Sequence, residues 1–295
     1  KYTRLQIDSA YACQASVVRD STSKNNYPSI AHYVKKMLLV SDNEAYNHLF
    51  EFLGAEHINN RLAQMGYTNT VIFHRLSSSC DSLTNRYTNP FVFYDSAGAV
   101  IFSQPLVYCP QQYSNPLGSK IGKGYIDSKG KLVKQPKDFG NNNNLSLSTI
   151  NNILISILFS RSVENTKRFH IGEDDYRLIY KYMSMYPRES DHPHYDEKKY
   201  PDNYKKYFMS DSSYKKITND SLRIFNIVGM AYGFMSDCSY IVDHDKKTEF
   251  FLSATMYVNE DGIINDSKYE YTTVGAPFFT ELCKIIMEYE RGRKR

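Results

Sequence analysis

Three consecutive polar residues, Ser41-Asp42-Asn43, stand between two segments that have the hydrophobic period of a helix. A hydroxyl, a carboxylate and an amide side by side can relay a proton and can both donate and accept hydrogen bonds. The same residue types are the commonest helix N-caps, so a simple cap also explains the tripeptide. The elements around it decide between these two interpretations.

The flanking segments predict two amphipathic helices that meet at this tripeptide. Apolar residues recur at steps of three and four over residues 30–38 and again over 45–53. Gly54 then ends the second pattern, as a glycine after a helix does. A further helical pattern follows, so residues 29–66 are predicted to be helical and Ser41-Asp42-Asn43 to form a corner between helices.

Composition indicates a globular protein, with one domain predicted over residues 1–295. Hydrophobic residues make up 41% of the chain and charged residues 23%, as in folded domains. A net charge of +4 over this length is mild and predicts no nucleic-acid partner. The sequence has no run of about 18 apolar residues, so no membrane span is predicted.

The cysteines predict neither a zinc site nor a disulfide framework, because they are five in number and lack Cys-x-x-Cys spacing. One bridge in an oxidising compartment stays open. The acidic and histidine-rich run from Asp191 to Asp196 is interpreted as a solvated loop, so no metal and no cofactor are predicted. His32, His48, His57 and His74 are interpreted as surface or capping groups.

Residues 28–221 are predicted to be mostly helical. Turn-rich sequence at about 67–144 indicates a hairpin insertion. Residues 148–159 predict a deeply buried helix and residues 174–186 a second helix. Residues 188–221 are charged and rich in tyrosine, which indicates a long excursion over the surface.

The last part of the chain, residues 222–295, changes period and predicts an α+β fold. Three segments rich in β-branched and aromatic residues predict consecutive antiparallel strands: 222–228, 238–242 and 248–258. A closing helix is predicted over 274–290 and expected to cover the sheet. Its predicted apolar face consists of Phe278, Leu282, Ile285, Ile286 and Tyr289.

Two blocks of this sequence resemble class A β-lactamases, which are penicillin-recognising serine hydrolases. The first runs from Met37 to Asn47 (MLLVSDNEAYN) and on to Gly66, and the second from Val228 to Ile241 (VGMAYGFMSDCSYI). Ser-Asp-Asn is one of three catalytic elements of that family, with Ser-x-x-Lys and Lys-Thr-Gly. The resemblance covers roughly residues 28–66 and 222–290. It implies a β-lactamase/transpeptidase-like fold with a helical subdomain and an antiparallel sheet under a C-terminal helix.

The resemblance also implies roles for individual residues. Ser41 and Asn43 would be catalytic: Ser41 would relay a proton to the leaving nitrogen, and Asn43 would bind the lysine after the nucleophile and the substrate amide. Gly229, Met230 and Ala231 would form the substrate-binding strand edge, with the Met230 N–H as half of an oxyanion hole. Asp42 would satisfy backbone donors around the corner. Asp237 would begin the strand after the Tyr-Gly turn.

Three departures from the family pattern concern the catalytic groups. The nucleophile is expected roughly 55–60 residues before the corner, which lies before Lys1, so we expect a chain trimmed ahead of its nucleophile. The two Ser-x-x-Lys matches, at Ser21 and Ser212, are interpreted as chance matches in polar segments. Ile227-Val228-Gly229 replaces Lys-Thr-Gly, which removes the cation. Asp138 stands where the family has a deacylating glutamate.

Two functions follow as expectations. The first is a β-lactamase-like serine hydrolase that acts on β-lactams or cell-wall peptides through an acyl-serine outside this chain. The second is a catalytically inactive protein of the same fold that binds a peptidoglycan fragment or a protein partner. The resemblance implies a periplasmic or cell-envelope location.

Overall fold

The computed structural model describes residues 1–11, 13–115, 117 and 120–293, and its helices follow the hydrophobic spacing of the sequence. The first two helices begin at residues whose side chains cap them, and Ser29 accepts a hydrogen bond from the His32 N–H at 3.2 Å. The α-helices are α1 (Ile30–Val40), α2 (Asn43–Leu53), α3 (Ala55–Gln64), α4 (Leu147–Leu158), α5 (Glu173–Ser184) and α6 (Ala276–Gly292).

The strands form several sheets rather than one. They are β1 (Arg4–Ile7), β2 (Tyr87–Thr88), β3 (Phe91–Tyr94), β4 (Val100–Gln104), β5 (Val107–Tyr108), β6 (Lys120–Ile121), β7 (Gly124–Ile126), β8 (Leu132–Val133), β9 (Lys137–Asp138), β10 (Leu222–Ala231), β11 (Phe234–Asp243), β12 (Thr248–Tyr257) and β13 (Ile263–Ile264). The sheet orders are β1-β3-β4, β10-β11-β12 and β13-β7-β8, with the pairs β2-β5 and β6-β9.

The antiparallel sheet β10-β11-β12 is the largest of these, and β10 is one of its edges. A two-residue turn joins β10 to β11, and both of its residues, Tyr232 and Gly233, have positive φ angles (56° and 85°). Positive φ at both central residues is the geometry that matches the right-handed twist of paired strands. The Tyr-Gly turn and the three predicted consecutive strands are therefore confirmed.

Helices cover both faces of this sheet. On one face, Ile224 and Ile241 pack with Phe279 and Cys283 of α6. On the other face, Cys238 packs with residues of three helices: Leu38 of α1, Leu154 of α4 and Met183 of α5. The sheet is thus the middle layer between α6 and the helical part that carries the Ser-Asp-Asn corner, and the α+β class is confirmed.

The helices of the corner rest on the small N-terminal sheet. Leu5 and Ile7 of β1 and Phe91 of β3 are fully buried against Tyr33 of α1 and Ala45 of α2. The N-terminal strand and the strand at 91–94 therefore pair beneath the α1–α2 corner and fix its position.

The prediction of a surface excursion over 188–221 is wrong. Phe208, Met209 and Ile217 belong to the core under α6, and Lys205 and Lys206 are buried as well. The high charge of this segment indicated solvent exposure, but part of that charge lies inside the protein at the edge of β10.

The predicted apolar face of the closing helix is correct only in part, because Leu282 packs against the core but other members of that face do not. The buried stripe of α6 consists of Phe279, Cys283 and Met287, whereas Ile285 and Tyr289 are 60% and 66% exposed. The helix carries two apolar stripes, and a period of 3.6 residues does not say which of them faces the sheet. The helix over 147–158, predicted to be deeply buried, is for the most part only half-buried.

Candidate functional site

The corner has an unusual backbone at its first residue. Ser41 ends α1 with φ 56° and ψ 46°, the left-handed conformation, and its N–H donates to the Met37 carbonyl at 3.1 Å. For a residue other than glycine this conformation costs about 1–2 kcal/mol. The turn leaves Ser41 exposed at the surface of the corner.

Asp42 has the capping role expected from its residue type. Its Oδ1 accepts the Ala45 N–H at 2.9 Å, and its Oδ2 lies 3.3 Å from Lys36 Nζ. This carboxylate satisfies a backbone donor of α2 and is paired with a cation, so the structure gives it a structural task.

Asn43 is held by a residue that the sequence interpretation did not include. Its Nδ2 donates to Ser77 Oγ at 2.9 Å. One turn along α2, Asn47 binds both backbone groups of Leu76, accepting its N–H at 2.7 Å and donating to its carbonyl at 2.9 Å. The segment that follows α3 therefore returns to the corner and lies along α2.

The third contact of this segment is a buried ion pair. Arg75 Nε donates to Glu51 Oε1 at 2.6 Å, and both residues are at most 5% exposed. Asn89 donates to the second carboxylate oxygen of Glu51 at 3.0 Å. The spacing Asn43-x-x-x-Asn47-x-x-x-Glu51, polar at every fourth position of an amphipathic helix, was the sequence signal for this contact.

The outer edge of β10, which faces away from β11, has a covered half (residues 222–226) and an open half (residues 228–231). In the covered half, the Leu222 carbonyl accepts a hydrogen bond from Tyr186 Oη (2.7 Å), the Ile224 carbonyl from Lys206 Nζ (2.6 Å) and the Asn226 carbonyl from Lys205 Nζ (3.2 Å). The even-numbered residues of β10 therefore direct their backbone groups away from β11. The register of β10 is regular through Ala231.

Because an antiparallel ladder alternates, Val228 and Met230 also direct their N–H and C=O groups outward. The sequence prediction placed an oxyanion donor at the Met230 N–H, and this geometry is compatible with it. Met230 is 52% exposed. The substrate-binding assignments of Gly229, Met230 and Ala231 stay predictions.

Gly229 lies in the open half, and it faces the side of the sheet that packs against α1, α4 and α5. Alternation puts Phe225, Ile227 and Gly229 on one face, and Phe225 packs with the cluster formed by α1, α4 and α5. A Cβ added at Gly229 would meet nothing within 4 Å. The fold therefore does not require glycine at this position, and the surface there is open.

A network of buried polar side chains lies next to the β10 edge. Asp237 accepts hydrogen bonds from Asn226 Nδ2 (3.1 Å), Ser239 Oγ (2.7 Å) and the Tyr207 N–H (2.9 Å), and Lys206 Nζ donates to Asn226 Oδ1 at 2.9 Å. Burial raises the pKa of Asp237 to about 6 and lowers the pKa of Lys205 to about 8.

This network corrects the role of Asp237. The residue is the fourth of β11 and fully buried, so it does not begin the strand. Its contacts fasten the segment before β10 to the sheet, which is a structural task.

The same segment links the corner to the sheet edge. Tyr195 is buried against Leu39 and Val40, the last residues of α1 before the corner. The ring centroids of Tyr195 and Tyr200 are 5.0 Å apart, and those of Tyr200 and Tyr204 are 4.8 Å apart. The next residue, Lys205, donates a hydrogen bond to the Asn226 carbonyl of β10. The structure thus places the corner and the edge of β10 at the two ends of one packed segment. Among the described residues, no hydrogen bond joins 41–43 to 229–231.

The expected partners of the corner lie elsewhere. Ser21 and Lys24 are exposed in a turn before α1, so neither begins a buried helix. Ser212 begins a short 3₁₀ turn at 212–214. Asp138, in β9, accepts the Gly140 N–H at 2.7 Å, and the side chain in contact with Asn43 is Ser77.

The structure contains the one disulfide bond that the sequence left open. Cys13 and Cys80 form a disulfide, while Cys109, Cys238 and Cys283 are buried thiols.

Within the described ranges, no group of three His, Cys, Asp or Glu side chains is arranged to hold a metal ion. No helix of the described part of the chain is long and apolar enough to cross a membrane.

Comparison with known families finds a match, which lies in the first third of the chain. Residues 2–95 match the family model described as the β-lactamase enzyme family. The match contains α1, α2 and the corner, so the resemblance of this region to β-lactamase-like serine hydrolases is confirmed. The second block, 222–290, lies outside the match and stays a prediction. Comparisons with curated proteins and with solved structures gave no match.

Proposed function

We propose that the protein is a β-lactamase-like serine hydrolase that acts on β-lactams or cell-wall peptides at the space between the Ser-Asp-Asn corner and the open half of β10. The observation that carries this proposal is the open half of the β10 edge, where Met230 is 52% exposed and Gly229 faces the side of the sheet that packs against α1. An edge of this kind binds an extended acylamide by strand-like hydrogen bonds.

The roles follow from the groups that the geometry makes available. The hydroxyl of Ser41 relays a proton toward the leaving nitrogen, and the Asn43 amide binds the substrate amide. The outward Met230 N–H is one of two donors to the oxyanion that forms when the acyl-accepting serine adds to the carbonyl carbon of the ligand. The proposal assigns no acyl-accepting serine to these 295 residues.

A second candidate is a protein that binds the same ligands without turnover. Ile227, which is 37% exposed, stands where the family pattern has the lysine that steadies a substrate carboxylate. An apolar side chain there removes that charge, which weakens ground-state binding and acylation together. This candidate places the ligand at the same edge and differs only in the absence of an acyl-enzyme.

The disulfide supports a periplasmic or cell-envelope location for either candidate. Cys13 and Cys80 are 67 residues apart in sequence and are bonded. Disulfides of this kind form and persist in oxidising compartments.

The location of the site is tested by calorimetric titration of the full-length protein with benzylpenicillin. Asn43→Ala and Gly229→Ala are each expected to weaken binding at least tenfold, because one removes an amide partner and the other fills the open face. Asn60→Ala, an exposed asparagine of α3, is the matched control. Binding that is equal in the wild type and both site variants would place the ligand elsewhere and overturn the proposal.

A further inference from the structure

We propose that Ser77 is a positioning residue of the candidate site, which orients the side-chain amide of Asn43 for the ligand. The inference rests on the proposed function and adds a residue to it. Its starting point is the 2.9 Å hydrogen bond from Asn43 Nδ2 to Ser77 Oγ.

The register that brings Ser77 to Asn43 is fixed by a series of contacts. Three residues of α2, each one turn from the next, bind three consecutive residues of the returning segment. The pairs are Glu51 with Arg75, Asn47 with Leu76, and Asn43 with Ser77. Because Glu51 and Asn43 bind side chains of the segment, a shift of the segment by one position would break these two pairs, and the backbone contacts of Asn47 hold the segment between them.

Both ends of the serine run 77–79 are anchored. On its N-terminal side, Arg75 also donates from Nη2 to the Tyr87 carbonyl at 2.8 Å and is 5% exposed. On its C-terminal side, Cys80 is bonded to Cys13. Ser77 therefore meets Asn43 as part of a constrained loop.

The backbone of Ser77 is in the left-handed region, with φ 48°. A residue other than glycine persists in this conformation where its surroundings determine it, and such residues concentrate at functional sites. Ser77 is exposed, so burial of its side chain does not account for the conformation. The hydroxyl of Ser77 accepts the hydrogen bond from Asn43 in this conformation.

The hydrogen bond to Ser77 sets which atoms of the Asn43 amide face the ligand. An asparagine amide has two N–H donors and one carbonyl acceptor. Ser77 takes one N–H, which leaves the second N–H and Oδ1 in defined directions. Without the Ser77 hydroxyl, the side-chain amide of Asn43 rotates freely. In a fraction of the molecules, its oxygen then lies where its nitrogen should be, and the ligand meets the wrong group.

The test is a double-mutant cycle on benzylpenicillin affinity of the full-length protein. Ser77→Ala is expected to weaken binding about fivefold, the equivalent of one hydrogen bond of about 1 kcal/mol. In the Asn43→Ala background, the same change is expected to have no further effect, because Ser77 acts through Asn43. Additive losses in the cycle would overturn the proposal, since a general effect on the loop does not depend on Asn43.

Two further variants separate the hydroxyl from the backbone. Ser77→Gly allows the positive φ without strain but lacks the hydroxyl, so it is expected to weaken binding as Ser77→Ala does. Ser78→Ala, the exposed neighbour, is the control and is expected to bind as the wild type does. Wild-type affinity of Ser77→Gly would assign the effect to loop conformation and overturn the proposal.

A spectroscopic readout makes the proposal independent of penicillin binding. The Asn43 side-chain amide signal, assigned by its loss in Asn43→Ala, is expected to shift in the ¹H–¹⁵N spectrum of Ser77→Ala. If wild-type protein binds no penicillin but this signal shifts, the proposed function fails and the orientation of Asn43 by Ser77 stands. An unchanged signal overturns that orientation whatever the binding result.

Discussion

Protonation of one buried histidine is expected to loosen the helix pair that carries the corner. His48 of α2 is 8% exposed, and its ring centroid lies 4.8 Å from that of Tyr33 of α1. Burial lowers its pKa from 6.5 to about 4, assisted by Lys36 and Arg75 and opposed by Asp42 and Asp20. Glu44 Oε1, at 3.8 Å from Nε2, is largely exposed and gives little compensation.

The sign and size of the effect follow from this shift. Between pH 6.5 and 4 the unfolded chain binds a proton at His48 and the folded protein does not, so the stability contributed by neutral His48 is lost as the pH falls. The lowering of the His48 pKa from 6.5 to about 4 corresponds to about 3 kcal/mol. Between pH 7 and pH 5, the loss from this group is about 2 kcal/mol.

Urea unfolding at pH 7 and pH 5 measures this contribution. His48→Gln, which cannot be protonated, is expected to lose about 2 kcal/mol less than the wild type over this interval. The comparison uses the change with pH, so a packing cost of the substitution cancels. His57→Gln, at an exposed position of α3, controls for the replacement of a histidine. Equal losses in the wild type and His48→Gln would refute the reasoning.

Three further predictions concern the contacts that hold the site. Glu51→Gln is expected to destabilise the protein by about 3–5 kcal/mol in urea unfolding, because Arg75 keeps its charge in a buried position; a loss under 1 kcal/mol would contradict this. Replacement of Cys13 and Cys80 by serine is expected to lower the free energy of unfolding by about 4 kcal/mol from loop entropy, and reductant is then expected to have no further effect; a double variant as stable as the oxidised wild type would contradict this. Lys206→Met is expected to cost about 3–5 kcal/mol, because three buried acceptors lose their donor, and a variant with wild-type stability would contradict the proposed network.

The sequence predicted the elements whose signals are local. The apolar spacing of α1 and α2, the cap at Asp42 and the Tyr232-Gly233 turn each depend on a few neighbouring residues, and the structure confirms them. The strands β10 to β12 were predicted in the right order, but β10 and β11 were predicted too short. The prediction for β10 ended early because Gly229 was interpreted as a break, whereas it lies inside the strand.

The sequence did not predict contacts between distant residues. Ser77 reaches Asn43 only because α3 and the following turn bring the chain back along α2, and no local pattern encodes that path. Lys205 and Lys206 indicated a solvated segment, yet carbonyls of β10 accept their protons in the interior. His48 has an apolar neighbour, Tyr33, on a different helix, so its burial was not visible in its own segment.

The most direct measurement of the central claim is the intact mass of the full-length protein, with and without a reactive penicillin. An acyl-transfer site at the corner and the edge of β10 predicts an increase by the mass of one penicillin, and a much slower increase in Asn43→Ala. An unchanged mass at saturating penicillin would contradict acyl transfer, and calorimetric binding in the same sample would then assign the protein to the candidate that binds without turnover.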